Sequence, residues 1–419
     1  HTAYRRQRQM CIRDSTWAVA IGSNFSALWI LIANGWMQNP VGAVFNPDTM
    51  RMEVSDFFAV LTNPVAQAKF VHTVSAGYVA ASIFVLGISA WYVLKGRHLE
   101  IAKRSMTVAA SFGLAAALSV VVLGDESGYL STEHQKMKLA AIEGMWETQD
   151  APASFTLLGF PDQEARENHY AIHIPFIMGL IGTRSLDTTI PGIIELVERA
   201  EGRISNGLKA YDALQQIRAQ GGTKNISHEL REQFEDNGGD LGYALLLRRY
   251  VDDPLKATPE QIQKAAWDTV PHVWPLFWSF RIMVAIGMFM IALTATFFVL
   301  SARRQLDRYR WLLKVAVWSI PLPWIAIEAG WLVAEFGRQP WVIEGVLPTA
   351  VAVSNLGIKT LLITLAGFVA IYTVLLIIEL KLLFKIIRKG PVDEHVPTEG
   401  VNVVRANLPS APTSAVEPL

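Results

Sequence analysis

The 419-residue chain is 51% hydrophobic and 18% charged, holds 13 Trp and has a mean hydropathy of +0.28, which excludes an ordinary soluble domain and points to a membrane protein. Its formal net charge of zero and pI near 7.3 supply no basic face for a phosphate backbone, so nothing recommends nucleic acid as a partner. Cys11 is the single cysteine, which rules out an internal disulfide, an iron–sulfur cluster or a thiolate zinc site and leaves His, Met and carboxylates as the available metal ligands.

In chain order, residues 1–15 ("HTAYRRQRQMCIRDS") are basic and polar and lack the apolar core of a signal peptide. They are expected to be a foreign or artefactual leader on a truncated chain, with a plain cytoplasmic tail as the alternative. A membrane-crossing helix needs roughly 20 apolar residues, and six segments meet that requirement: 16–36, 69–94, 103–124, 272–301, 311–335 and 358–386. The expected fold is therefore an all-α integral membrane protein, with three spans within 16–124, one large polar region over 125–270 and three spans within 271–389. Basic residues gather in alternate connections: Lys95, Arg97, Lys103 and Arg104, then Arg303, Arg304, Arg308 and Arg310, then Lys381, Lys385, Arg388 and Lys389. The positive-inside rule places these in the cytoplasm and the 125–270 region outside. Helix and loop are expected in that region, including an amphipathic helix over 193–218 that lies on protein or membrane. Residues 390–419, rich in Pro and small polar residues without periodicity, are expected to form a disordered cytoplasmic tail.

Ligand-type or charged side chains inside hydrocarbon are costly, so each one within a span is a candidate for function. His72, of nine histidines, is the one well inside a span; a metal ligand and a histidine bonded to a neighbouring helix are equally consistent with its position. Met283 taken alone reads as packing, but Arg281 two residues away needs an anion in so apolar a setting, and a haem propionate would serve. His with Met is the axial pair that raises the potential of an electron-transferring haem. Glu328, Trp331 and Glu335 fall at i, i+3 and i+7 and are expected to share an inward helix face. Arg338 follows Glu335 by three residues; a local surface ion pair is the plainer explanation of these two.

Several segments resemble subunit I of the cytochrome bd-type quinol oxidases: "GSNFSALWILIANGWMQNP" (22–40), "NPVAQAKFVHT" (63–73), "LGDESGY" (123–129), "KLAAIEGMWETQ" (138–149), "FRIMVA" (280–285), "IPLPWIAIEAGWLVAEFGRQPW" (320–341) and "VLPTAVAVS" (346–354). The resemblance implies that His72 and Met283 are axial ligands of a low-spin haem b, with Arg281 beside it. It implies that Glu335 ligates a high-spin haem b, that Arg338 supports that site and that Trp331 lies between the haems. The outer region resembles a quinol-binding loop, with Lys138 and Glu143 at positions associated with quinol oxidation. Those two are five residues apart, diverge on a helix, and read as solvated surface charges without the resemblance. Ser26 and Asn34 resemble positions on a proton path, and packing hydrogen bonds explain them equally well. The family carries about three further spans, of roughly 20 residues each, ahead of the segment that begins here at Thr16; they hold the histidine that ligates haem d.

The resemblance further implies a partner subunit II, a possible small accessory subunit, ubiquinol or menaquinol as electron donor, O2 as acceptor, and a bacterial inner (cytoplasmic) membrane. Oxidation of quinol at the outer face and reduction of O2 to water would generate a proton motive force. A secondary transporter and a haem-bearing sensor are the competing functions. The first predicts helices broken near the bilayer midplane and no coloured cofactor, and the second needs no quinol pocket.

Overall fold

The computed structural model describes residues 2–391, so most of the tail expected over 390–419 lies outside the described residues. The chain divides into two compact units, His1–Gly357 and Ile358–Leu419. In the first unit α1 (Thr2–Gln38) runs without a break from the basic leader into the first span, and a small antiparallel hairpin follows, β1 (Ala43–Asn46) and β2 (Arg51–Val54). After α2 (Phe57–Leu61) come the long helices α3 (Pro64–Leu94) and α4 (Leu99–His134). Asn63 caps α3 by accepting from the Val65 amide, and Pro64 at the first helical position loses nothing by lacking a donor.

The polar region then folds as α5 (Lys136–Glu143), an antiparallel hairpin of β3 (Phe155–Asp162) and β4 (Glu167–Ile174), and helices α6 (Ile193–Ala219), α7 (His228–Asn237), α8 (Leu241–Leu245) and α9 (Pro259–Trp267). The chain returns to the membrane through α10 (Val273–Ala302), α11 (Arg310–Trp318) and α12 (Leu322–Phe336), and closes the unit with the short pair β5 (Trp341–Ile343) and β6 (Leu347–Pro348). Among the described residues, the second unit contains the helix α13 (Ile358–Lys389).

Six segments are long and apolar enough to cross a membrane, and they coincide with the six expected from sequence. The fifth is divided: α11 ends at Trp318 and α12 starts at Leu322. Pro321 and Pro323 account for the break, since neither has an amide to donate and each ring clashes with the preceding turn. The expectation of helix and loop over 125–270 missed the β3–β4 hairpin. Its strands are rich in aromatic and β-branched residues, and the turn between them is set by Asp162, whose carboxylate accepts from the Glu164 and Ala165 amides.

Small residues bring the spans together. A Cβ at Gly35 would lie 2.5 Å from the Ala66 Cα, so α1 and α3 cross almost backbone to backbone; Gly113 of α4 meets Ser82 of α3 in the same way at 2.8 Å. Ile83, Leu86, Met106, Met290, Phe297 and Leu313 fill the core among α3, α4, α10 and α11. The α6 face built from Ile193, Val197, Ala200, Ile204 and Ile217 is buried, as its spacing predicts, and it packs on protein. One continuous core runs from Leu139 and Trp146 through Ile193 and Leu247 to Val273, Leu276 and Val333, which seats the polar region on the ends of α10 and α12.

Candidate functional site

Two buried polar clusters meet at this seat. The first surrounds Glu335, near the end of α12. Its Oε2 accepts from Arg338 at 2.5 Å and its Oε1 from the Asn34 side-chain amide of α1 at 2.8 Å. The Asn34 Oδ1 accepts from Gln38 at 3.1 Å and from Lys69 of α3 at 3.0 Å. Gln38 Oε1 accepts from the Lys138 Nζ at 3.1 Å, and Lys138 donates further to Gln135 Oε1 and to the Ala334 carbonyl. Gln135 in turn donates to Glu344, on the β5–β6 turn, at 3.3 Å. Gly337 makes room for the Lys138 stem, since a Cβ there would sit 2.7 Å from its Cγ. Arg338 is buried, and its Nε and second terminal nitrogen have no hydrogen-bond partner.

The second cluster joins Glu143, the last residue of α5, to Arg281 of α10 at 3.3 Å, with both side chains almost fully buried. Arg281 also donates to the carbonyls of Ile142 (2.9 Å), Phe277 (2.9 Å) and Leu157 (3.1 Å), and closely to that of Thr156, and its guanidinium stacks on the Phe277 ring at 3.3 Å. All three of its nitrogens are engaged. The anion that the sequence demanded for Arg281 is therefore Glu143, and no donor is left over for a haem propionate.

Burial governs the protonation of the groups outside the spans. Lys138 is pushed down to about 8 by loss of water, against the pull of Glu344 and Glu335. Glu143 is pushed up to about 7 by burial, with Arg281 opposing, and Glu344 likewise rises to about 7, with the Gln135 hydrogen bond and Lys138 opposing. Lys138 and Glu143 are thus interior groups; the solvated-charge alternative fails for both. They do diverge, as their spacing predicts, Lys138 toward Glu335 and Glu143 toward Arg281.

His72 lies on α3, one turn beyond Lys69. Its Nδ1 is buried without a partner, and its ring faces Gly124 of α4, where a Cβ would stand 3.4 Å away. Met283 of α10 faces α12, its sulfur 3.1 Å from the place of a Cβ on Gly330. The His72 imidazole nitrogen without a hydrogen-bond partner and, in Arg338, an arginine with two free nitrogens are what a haem ligand and a propionate partner require, so these residues fit the group, while Met283 packs against Gly330. Among the described residues no set of three or more His, Cys, Asp or Glu side chains converges as a metal cage.

The family model described as cytochrome bd terminal oxidase subunit I matches residues 4–391. The chain belongs to this family. It is 46% identical over 376 residues to the cytochrome bd-II ubiquinol oxidase subunit 1 of Escherichia coli, covering 90% of this chain and 72% of that one. Against the cytochrome bd ubiquinol oxidase subunit 1 of Bacillus subtilis identity is 28%, over 89% of this chain and 67% of the relative. The bd oxidase structure from Geobacillus thermodenitrificans shares the fold, with a TM-score of 0.64 at 24% identity over 89% of this chain and 69% of that one.

Within this cytochrome bd subunit the site differs from the sequence reading in three places. Glu328 is exposed, whereas Trp331 and Glu335 are half-buried, so the expected inward face is open at its first member. Ser26 is exposed on α1 and stands outside the polar file that contains Asn34. Lys69, Gln38, Gln135 and Glu344 were not singled out by sequence. Lys69 carried a usable signal, being a lysine one turn from His72 at the edge of an apolar run.

Proposed function

We propose that Lys138 and Glu143 flank the quinol site of this oxidase, and that electrons leave it by way of His72 and Met283 toward Glu335. The protein is the catalytic subunit of a multi-pass terminal quinol oxidase of a bacterial respiratory membrane, working with a second subunit. The observation that supports the reading is the unbroken file of hydrogen bonds from Lys138 through Gln38 and Asn34 to Glu335, which joins a lysine of the loop to a candidate iron ligand.

Bound haem supplies one-electron steps between a two-electron donor and oxygen. The chain's own groups supply the rest. Glu143, with a carboxyl near neutrality, takes a proton from a quinol hydroxyl and has Arg281 to balance the charge. Lys138, pushed down to about 8, in its neutral form takes the proton of the second hydroxyl. In this reading His72 and Met283 would hold a low-spin haem b, Glu335 would hold a high-spin haem b, the free donors of Arg338 would receive a propionate, and a third haem would be of type d. The 125–270 region lies on the outer face, where quinol protons are released.

The test is quinol-driven oxygen consumption beside visible spectra of the purified complex. Lys138→Ala and Glu143→Ala should each depress quinol oxidation while haem content stays intact. A complex that keeps full quinol turnover with both substitutions has its quinol site elsewhere.

A further inference from the structure

A lysine inside an apolar span is costly, and nothing in the reading above uses Lys69. Its surroundings give it a specific task. Its Nζ donates to the Asn34 Oδ1 at 3.0 Å, alongside Gln38 Nε2 at 3.1 Å, so the acceptor end of the Asn34 amide takes two donors. An amide with its oxygen so occupied can only turn its N–H toward Glu335, where it donates to Oε1 at 2.8 Å. Gln38 is turned the same way round by Lys138, which occupies its oxygen. The Gln38 and Asn34 amides are therefore both turned with their donors toward Glu335. Arg338 holds the other oxygen of that carboxylate, at 2.5 Å, from the opposite side.

We infer that Lys69 is a positioning residue that acts through Asn34 to hold the Glu335 carboxylate in place. The inference rests on the reading of Glu335 as the ligand of the high-spin haem b. Lys69 anchors the amide from α3 while Gln38 anchors it from within α1, so the orientation of Glu335 is tied to the α1–α3 crossing at Gly35. The lysine also enriches the site in basic side chains: Lys69, Lys138 and Arg338 face Glu335 and Glu344.

The experiment uses the assembled oxidase carrying Lys69→Met, Lys69→Arg, Asn34→Leu, the Lys69→Met/Asn34→Leu pair, and Glu335→Ala, and reads the absorbance and midpoint potential of the high-spin haem. Lys69→Met should lower its occupancy on the order of tenfold and shift its midpoint, while the low-spin spectrum stays as in the parent and so reports an intact fold. Lys69→Arg should restore most of the signal, and the double variant should be no worse than Asn34→Leu alone, because the lysine works through that amide. A parental high-spin spectrum and midpoint in Lys69→Met overturns the inference, as do additive losses in the double variant. A full high-spin signal in Glu335→Ala removes the ligand reading beneath it, and that outcome is distinct from the others.

Discussion

At the scale of single residues, buried charge in this protein is managed by saturation in one place and by reserve in another. Arg281 spends its donors on Glu143 and four carbonyls, whereas Arg338 keeps two nitrogens free beside Glu335. The first arrangement is structural, since removing either partner leaves a buried charge uncompensated, at a cost of about 3–5 kcal/mol. Arg281→Leu is expected to lower thermal stability of the complex more than Arg281→Lys, which a melting curve resolves. The acid side of the pH profile follows from Glu143. Its folded pKa of about 7 lies above the ordinary value of 4.5, so the folded state holds the extra proton between those limits. Its stabilising contribution is complete below 4.5 and is lost as pH rises through about 7, while its capacity as a base appears over the same interval. Quinol oxidation should therefore fall as pH drops below about 7, and Glu143→Gln should flatten that limb at a much lower rate; a variant with the parental acid limb shows that another group sets it. For His72, whose Nδ1 has no partner, His72→Ala should erase the low-spin haem spectrum, and an unchanged spectrum dismisses it as a ligand.

At the scale of elements, contacts without side chains set the geometry of the site. Gly35 lets α1 approach α3 so closely that Asn34 reaches Glu335 and Lys69 together. Gly35→Leu has backbone to displace at Ala66, and overpacking of this kind costs about 1–3 kcal/mol. It should melt several degrees lower and lose high-spin haem before low-spin haem, both measurable on one purified sample. The six spans were legible because hydropathy and length alone define them, and α6 because its apolar spacing is unambiguous. His72 stood out as a ligand-type group in apolar surroundings, whereas Met283 and Glu335 were singled out as ligands through the family resemblance. The partners were not legible: Glu143 lies 138 residues from Arg281 along the chain, and Asn34 lies 301 from Glu335, so no periodicity could pair them. The β3–β4 hairpin was missed because a short two-stranded ribbon within a helical region has only a weak alternating pattern. The divided fifth span, by contrast, was written in Pro321 and Pro323.

At the scale of the whole molecule, the surface of the first unit is unfinished for a protein in lipid. Glu328 is exposed on α12 beside Trp324 and Ile325, and α1 presents Trp17, Phe25 and Trp29. Trp and Phe suit hydrocarbon, but a carboxylate at that depth does not, and it calls for a covering protein surface. Coexpression with the second subunit should raise both the melting temperature and the haem content per chain, as followed by size-exclusion chromatography at the haem wavelength; equal values with and without it make the chain self-sufficient. The saturated arginine has a last consequence, and it concerns the order of assembly. Arg281 enters the membrane on α10, but apart from the Phe277 carbonyl its acceptors belong to α5 and β3, which are synthesised earlier. Until those segments have taken their shape, the guanidinium of the nascent fourth span has the Phe277 carbonyl of its own helix and lacks its other partners, which disfavours insertion. The loop segments thus form the receptor onto which the later helix docks, and a defect in the loop is expected to be felt as failed integration of a helix more than a hundred residues downstream.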